Sequence, residues 1–224
     1  MKAAVPKAKG TSEAQARREV IATAQAMSRR GLSPGRSGNV SRRWRDGMLI
    51  TPTGMAYDDL AAADITFVDA SGRATGPRKP SSEWHFHLAV YAARPDMHAV
   101  VHTHSMHAVV LSCTGKPIPA FHYMIAVAGG DDIPCVPYAT FGTDALARQV
   151  AKGLERRNAC LMAHHGMIAT AAALSAALEL AAEVEILAEQ YYKVLTLGRP
   201  TLLPPAEMAE VIERFKSYGQ KAQG

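Results

Sequence analysis

All nine histidine residues of this 224-residue chain lie between positions 85 and 165, and His102 and His104 are separated by a single residue. His102 and His104 follow the apolar run 99–101, which is typical of a buried strand. In an extended strand, residues i and i+2 point to the same face, so both imidazoles can reach one metal ion. The pair 164–165 and the carboxylate of Glu83 offer further ligands. Three neutral imidazoles with an open fourth position form a catalytic zinc site, and we therefore favour a metal centre over histidines with ordinary hydrogen-bond partners.

Short turns rich in Gly, Ser and Thr provide candidate anion sites. The segment Pro-Ser-Ser-Glu at 80–83 precedes a predicted helix, where hydroxyls and unpaired backbone N–H groups suit a phosphate. We expect Ser82 to cap this helix and Glu83 to lie in its first turn, either as a general base or as an acid that complements the helix dipole. The turns 35–39 and 53–54 could also bring backbone amides to a phosphate. Neither turn matches the P-loop pattern, which argues against a nucleotide.

Other reactive side chains are less distinctive. Tyr123 lies in an apolar stretch and is interpreted either as a buried phenol with one hydrogen-bond partner or as a proton donor or acceptor for a substrate oxygen. Lys79 and Lys116 are not in runs apolar enough to desolvate an amine, which argues against a Schiff base. Three methionines are expected to fill the core rather than to bind a ligand: Met106, Met162 and Met167.

Helices and short strands are predicted to position these groups. Ser12 is expected to cap a first helix that ends near Gly31. Caps and helical periodicity predict further helices at 82–94, after 105, after 143, at 172–197 and at 206–217. Strands are predicted at 48–50, 65–69, 99–102 and 160–162. No Gly-x-Gly-x-x-Gly motif follows a strand, which argues against a Rossmann unit.

Length and composition indicate one domain with a full core. Residues 1–10 hold three lysines but no apolar segment, so we expect a short disordered tail before a domain at 11–224. Three cysteines without Cys-x-x-Cys spacing are typical of a reducing cytoplasm, and no apolar run is long enough for a membrane. The net charge of +5 is interpreted as a solvated surface or as a field for a small anionic substrate, because no nucleic-acid-binding signature is present.

Several stretches together resemble the class II aldolase/adducin family, and in particular its fuculose-phosphate aldolase branch. The histidine and Ser-Ser-Glu motifs are typical of the superfamily, whereas His-Tyr-Met-Ile-Ala at 122–126 and Pro-Tyr-Ala-Thr-Phe-Gly-Thr at 137–143 are more specific to the branch. The resemblance extends over about residues 22–218. It implies an α/β fold that consists of a single catalytic domain with three α/β/α layers. The central layer would be a mainly antiparallel sheet. It also implies a homotetramer with active sites between subunits.

The resemblance implies a ligand set and a substrate-binding set. Zn²⁺, or another divalent metal, would be held by three histidines: His102, His104 and His165. His164 would be a neighbour of the metal rather than a ligand. The phosphate of a small sugar substrate would be held by residues from three turns: Gly38, Asn39, Thr53, Gly54, Ser81 and Ser82. Phe141 would line the pocket for the aldehyde.

The resemblance further implies a reaction and three catalytic residues. Glu83 would be the acid/base group, Tyr123 would act from the neighbouring subunit, and Tyr218 would help to close the site. The reaction would be reversible cleavage of a ketose 1-phosphate, with L-fuculose 1-phosphate as the best guess, to dihydroxyacetone phosphate and L-lactaldehyde. Activities like those of ribulose-5-phosphate 4-epimerase or sugar-acid phosphate decarboxylases are the alternative within the superfamily. A non-enzymatic binding module resembling adducin is disfavoured by the intact histidines and glutamate.

Overall fold

The computed structural model describes residues 11–215, and the predictions for the 1–10 tail and for Tyr218 lie outside this range. The α-helices of this range are α1 (Glu13–Arg29), α2 (Trp84–Ala93), α3 (Met106–Ser112), α4 (Asp144–Gly153), α5 (Leu174–Leu197) and α6 (Pro205–Phe215). The strands are β1 (Asn39–Trp44), β2 (Gly47–Ile50), β3 (Thr66–Val68), β4 (Ala74–Thr75), β5 (Ala99–Thr103), β6 (Ile118–Pro119), β7 (Asp132–Ile133), β8 (Cys135–Val136), β9 (Ala159–Met162) and β10 (Gly166–Ala171).

Eight of these strands form one sheet in the order β4-β3-β2-β1-β5-β10-β9-β8. Neighbouring strands pair antiparallel, except for the parallel pair β8 and β9. Strand β5 lies near the centre, with Asn39 of β1 opposite His102 on one side and Ile168 of β10 opposite His102 on the other. The predicted mainly antiparallel sheet is therefore confirmed.

Helices cover both faces of the sheet because the strands bury side chains in both directions. Val101 belongs to a core formed with α1, α3 and α5, whereas the adjacent Val100 belongs to a second core formed with α2 and α4. This alternation follows the two-residue period of a strand. The arrangement confirms the three-layer α/β/α architecture of the prediction.

Several element boundaries differ from the predictions. Ser12 caps α1 as expected, with its Oγ accepting a hydrogen bond from the Gln15 N–H at 3.2 Å. The prediction that Ser82 caps the next helix is wrong, because α2 begins at Trp84 with Glu83 at its N-cap. Strands β1 and β10 were not predicted. Among the described residues, no helix has the length and apolar character needed to cross a membrane.

Candidate active site

Four side chains from three separate segments converge at one end of β5. His102 and His104 come from the end of this strand, His165 from the turn between β9 and β10, and Glu83 from the start of α2. One ligand atom from each residue lies within 4.8 Å of the other three. The Nε2 atoms of His102 and His104 are 3.0 Å apart, and the Glu83 carboxylate lies 3.2 Å from His102 Nε2 and 3.0 Å from His165 Nε2.

The hydrogen bond on the far side of the His102 ring identifies the ring nitrogen that faces the cluster. Nδ1 of His102 lies 2.8 Å from the backbone carbonyl oxygen of Met167. Because a carbonyl can only accept, Nδ1 carries a proton, and Nε2 is the nitrogen that can coordinate a metal once it is deprotonated. Glu83 Oε1 is buried and accepts no well-aligned hydrogen bond, although His165 Nε2 is near. A donor set of three imidazoles and one carboxylate fits a divalent metal such as Zn²⁺.

Backbone geometry at the β9–β10 turn places His165 beside the other ligands. His164 adopts a left-handed conformation with φ of 56°, which reverses the chain directly before His165. A Cβ atom at Gly166 would lie 2.4 Å from the carbonyl oxygen of Thr103, so only glycine allows β10 to pair this closely with β5. His164 itself lines the cavity beside the cluster, next to His165.

Neighbouring side chains shift the pKa values of two members of the cluster, Glu83 and His104. Burial raises the pKa of Glu83, but the charges and hydrogen bonds of His102 and His165 lower it by more, so the net pKa is well below its ordinary value. Burial and the neighbouring His102 and His165 lower the pKa of His104 to about 3. At neutral pH the cluster therefore presents a carboxylate and a neutral imidazole, which are the forms that bind metal.

A cavity of about 720 Å³ opens beside the cluster. Its lining includes His104, His165 and Glu83 together with all six of the predicted phosphate-binding residues: Gly38, Asn39, Thr53, Gly54, Ser81 and Ser82. Arg36 also lines it and donates a hydrogen bond to the Gly54 carbonyl at 2.7 Å, which joins the two glycine turns. The polar part of the cavity therefore combines a cation, hydroxyls and backbone amides, which together suit a phosphate.

Apolar side chains line another part of the same cavity. Phe141 is 63% exposed there, beside Tyr138 and Val109. Met106 is 67% exposed and lines the cavity too, so the prediction that it fills the core is wrong. Met106 is the first residue of α3. This apolar lining can receive an apolar group of a small molecule.

Two of the predicted phosphate ligands, Asn39 and Ser81, also contact Glu83. The Asn39 amide nitrogen donates a hydrogen bond to Glu83 Oε2 at 2.9 Å, and its oxygen accepts one from His87 Nε2. Ser81 Oγ accepts a hydrogen bond from the Glu83 backbone N–H at 3.3 Å. These side chains therefore orient Glu83, whereas Ser82 is exposed to the cavity.

Within one chain, Tyr123 does not line this cavity. The phenol is 50% exposed, which contradicts the interpretation of a buried tyrosine with one partner. It borders another cavity of about 280 Å³ that is also lined by Met124, Val211, Arg214 and Phe215. If Tyr123 acts at the cluster, we therefore expect it to do so from a second copy of the chain.

Three buried polar residues behind Glu83 were missed by the sequence analysis: Ser41, His87 and Tyr91. His87 and Tyr91 follow Glu83 at intervals of four residues, so all three share one side of the α2 segment. Ser41 follows Asn39 by two residues and shares its face of β1. This spacing was the signal in the sequence that could have identified the set.

Comparisons with known proteins agree with this geometry. The family described as "Class II Aldolase and Adducin N-terminal domain" matches residues 18–192. The chain is 54% identical over 207 residues to a 5-methylthioribulose-1-phosphate/5-deoxyribulose-1-phosphate aldolase from Rhodospirillum rubrum, covering 92% of this chain and 94% of the relative. It is 50% identical over 207 residues to an L-fuculose phosphate aldolase from Escherichia coli O6:H1, covering 92% and 96%.

A solved structure has the same fold. An L-fuculose 1-phosphate aldolase superposes on this chain with a TM-score of 0.88 and 39% sequence identity. The match covers 93% of this chain and 100% of that chain. Both the sheet and the helices on its two faces are therefore shared with a known enzyme.

Proposed function

Because the chain belongs to the class II aldolase/adducin family, we propose that it is a metal-dependent aldolase that cleaves a ketose 1-phosphate to dihydroxyacetone phosphate and an aldehyde. The observation that carries the proposal is the convergence of three histidines and Glu83 beside a cavity whose lining suits a phosphate. In the reverse direction, the same site would join the two products.

The residues of the chain account for each step of this cleavage. When bound by His102, His104 and His165, Zn²⁺ supplies Lewis-acid stabilisation of the negative charge that develops as the C3–C4 bond breaks. The C4 hydroxyl loses its proton during cleavage to Tyr123 of a neighbouring subunit, which acts in its phenolate form. Glu83, in its protonated form, gives a proton to C3, which completes dihydroxyacetone phosphate. Proton exchange with water then moves one proton from Tyr123 back to Glu83, so that no net proton is gained or lost.

Phosphate binding anchors the substrate so that the reacting carbons reach the cluster in one orientation. Arg36 supplies the positive charge, and the hydroxyls of Thr53 and Ser82 with the backbone of Gly54 supply hydrogen-bond donors. Gly38, Asn39 and Ser81 complete the proposed phosphate site, and Asn39 and Ser81 also contact Glu83. We further propose a cytoplasmic homotetramer whose active sites lie between subunits, with Tyr218 closing each site.

The aldehyde end of the substrate is proposed to be apolar. L-Fuculose 1-phosphate, which yields L-lactaldehyde, ends in a methyl group, and this agrees with the relatives that are named for this substrate. 5-Methylthioribulose 1-phosphate is a second candidate, supported by the relative at 54% identity and by the exposed Met106, Tyr138 and Phe141 in the cavity. The two substrates share the dihydroxyacetone phosphate half and differ only at the end that meets the apolar lining.

The test is release of dihydroxyacetone phosphate from L-fuculose 1-phosphate, 5-methylthioribulose 1-phosphate and 5-deoxyribulose 1-phosphate. It is run on the protein as purified, after removal of metal with a chelator, and after addition of zinc. We expect release that is lost with the metal and restored by zinc, and the ratio of kcat/KM values identifies the preferred sugar. No release from any of the three by zinc-loaded protein would contradict the aldolase. Conversion of ribulose 5-phosphate or a sugar-acid phosphate would then favour the epimerase or decarboxylase alternative.

A further inference from the structure

A chain of buried hydrogen bonds extends from Glu83 into the protein interior. Asn39 joins Glu83 to His87, and Ser41 Oγ lies 2.7 Å from His87 Nδ1 and 2.8 Å from the Tyr91 hydroxyl. Ser41 and His87 have no solvent exposure, and Tyr91 has 3%. The order of the chain is therefore Glu83, Asn39, His87, Ser41 and Tyr91.

Only one arrangement of protons satisfies every bond when Glu83 is a carboxylate. The carboxylate only accepts, so Asn39 presents its NH₂ group to Glu83 and its oxygen to His87. That oxygen requires a proton on His87 Nε2, and a neutral imidazole then has a lone pair on Nδ1. The Ser41 hydroxyl must donate to Nδ1, which leaves its oxygen to accept the hydroxyl proton of Tyr91.

All donors in the chain consequently point toward Glu83. Hydrogen bonds aligned in one direction polarise and strengthen each other in a buried environment. Burial lowers the pKa of His87 to about 3, with the charge of His102 acting in the same direction, so its ring is neutral at pH 7. Burial also keeps the Tyr91 hydroxyl protonated by raising its pKa.

We propose that His87, in its neutral Nε2–H form, is a positioning residue that sets the orientation of Asn39 and thereby of the Glu83 carboxylate. This inference rests on the proposed aldolase activity, in which Glu83 transfers a proton to and from the substrate carbon. A reversed Asn39 amide would place its oxygen against the carboxylate, where two acceptors repel. The imidazole prevents this reversal because its Nε2–H can only donate to the Asn39 oxygen.

A purely structural role for His87 makes a different prediction. In that case any substitution would act through unfolding, and losses of activity would follow losses of stability. If His87 positions Asn39, two substitutions of similar polarity should differ in their effect on kcat. His87→Gln places an amide N–H near the position of Nε2 and can still donate to Asn39, whereas His87→Asn reaches only the position of Nδ1.

The experiment compares steady-state kinetics, metal content and thermal unfolding of zinc-loaded wild type, His87→Gln and His87→Asn, with the best of the three ketose 1-phosphates as substrate. We expect kcat to fall about 10- to 100-fold in His87→Asn, as is typical when the partner of a site residue is lost, with KM changed less than about threefold. His87→Gln should stay within about fivefold of wild-type kcat because it keeps the donor. Equal losses in the two variants, or losses that only track the unfolding temperature, would overturn the positioning role.

A second measurement reads the position of the proton on the wild-type ring directly and does not depend on activity. Nitrogen-15 NMR of histidine-labelled wild-type protein reports which ring nitrogen of each histidine carries the proton, and the His87 signals are assigned by their absence from His87→Gln. We expect a neutral ring with the proton on Nε2. A proton on Nδ1 would overturn the proposal even with full aldolase activity, whereas an inactive wild-type enzyme with the Nε2–H form would count against the proposed function alone.

Discussion

Glu83 carries a negative charge in a largely buried site, although burial alone would favour its neutral form. Its carboxylate is stabilised by His102 and His165 on the side of the cluster and by the Asn39 amide on the other side. The same carboxylate faces the cavity in which the substrate is proposed to bind. A group that is fixed in this manner can exchange protons repeatedly without a change in its position.

Replacement of Glu83 by glutamine tests its role at the level of one functional group. Glu83→Gln keeps the shape and the contact with Ser81 but removes the negative charge, so we expect kcat to fall about 10²- to 10⁴-fold. The three histidines should still bind zinc at one ion per chain. Glu179→Gln is the matched control, since Glu179 is an exposed partner of Arg30 remote from the cavity. Near-normal turnover in Glu83→Gln would remove Glu83 from the mechanism.

Arg36 is the one Lys or Arg among the described residues that line the active-site cavity. Arg36→Ala should raise KM for a ketose 1-phosphate about 5- to 20-fold, because a charge-assisted hydrogen bond to phosphate is lost. The difference from wild type should shrink at high ionic strength, since Arg36 is exposed and screened by salt.

Arg148→Ala is the control for the Arg36 substitution because it removes the same charge from an exposed position on α4. The KM of both variants is measured at 20 mM and 500 mM salt. The comparison distinguishes the loss of a local contact with the phosphate from the loss of one positive charge on the protein. An unchanged KM in Arg36→Ala at low salt would show that the phosphate is bound without Arg36.

At the scale of elements, the site depends on how closely β1 approaches β5. A Cβ atom at Gly38 would lie 2.7 Å from the backbone oxygen of His102 and 2.6 Å from Ser33 Oγ. Gly38→Ala should therefore push β1 away from β5, lower the free energy of unfolding by about 1–3 kcal/mol and weaken zinc binding. Gly35→Ala is the control, because a Cβ there meets no atom within 4 Å although φ is +69°.

Urea unfolding of the two glycine variants measures the loss of stability, and zinc titration measures the loss of metal affinity. Gly35→Ala should cost about 1–2 kcal/mol for its left-handed backbone and leave zinc affinity unchanged. If Gly38→Ala also keeps wild-type zinc affinity, the position of β1 does not control the metal ligands.

The elements that carry strong periodicity or caps could be predicted from the sequence, and those whose burial depends on neighbours could not. The apolar run 99–101 marks β5, and Ser12 marks the start of α1. Strand β1 combines Asn39 with Ser41 and two arginines, so it lacks an apolar pattern, and only pairing with β2 and β5 makes it a strand. The cluster was predictable from residue types, but the Asn39–His87 contact joins residues 48 positions apart.

At the scale of the molecule, the proposed metal holds together three segments that are distant in the chain. A ligand that binds only the folded state stabilises it by about 2.7 kcal/mol at 100 times its Kd, which for a chain of this size raises Tm by about 5–10 °C. We expect this rise when zinc is added to chelator-treated protein. His104→Ala should abolish it, and the exposed His98→Ala should keep it. Stoichiometric zinc in His104→Ala would remove His104 from the ligand set.

Tyr123 connects the chemistry of the site to the assembly of the whole molecule. Because it is half-exposed and borders a cavity apart from the cluster, its proposed proton transfer is assigned to the site of a neighbouring subunit. Tyr123→Phe and His104→Ala should each be nearly inactive alone, since every site then lacks either the phenol or a metal ligand. After dissociation and reassembly of an equal mixture, about a quarter of the sites should combine an intact Tyr123 from one subunit with an intact His104 from the next.

Regained activity in this mixture would demonstrate that Tyr123 acts at the site of a neighbouring subunit. The control is a mixture of His104→Ala with His102→Ala. Both variants of the control lack a metal ligand on the same chain, so exchange of subunits cannot rebuild a site. If Tyr123→Phe is fully active by itself, the phenol takes no part in proton transfer. A third outcome is that Tyr123→Phe is inactive and the mixture also stays inactive, although mass analysis detects mixed assemblies. Tyr123 would then serve a site in its own chain. That role would require the segment around 123–128 to move toward the cluster.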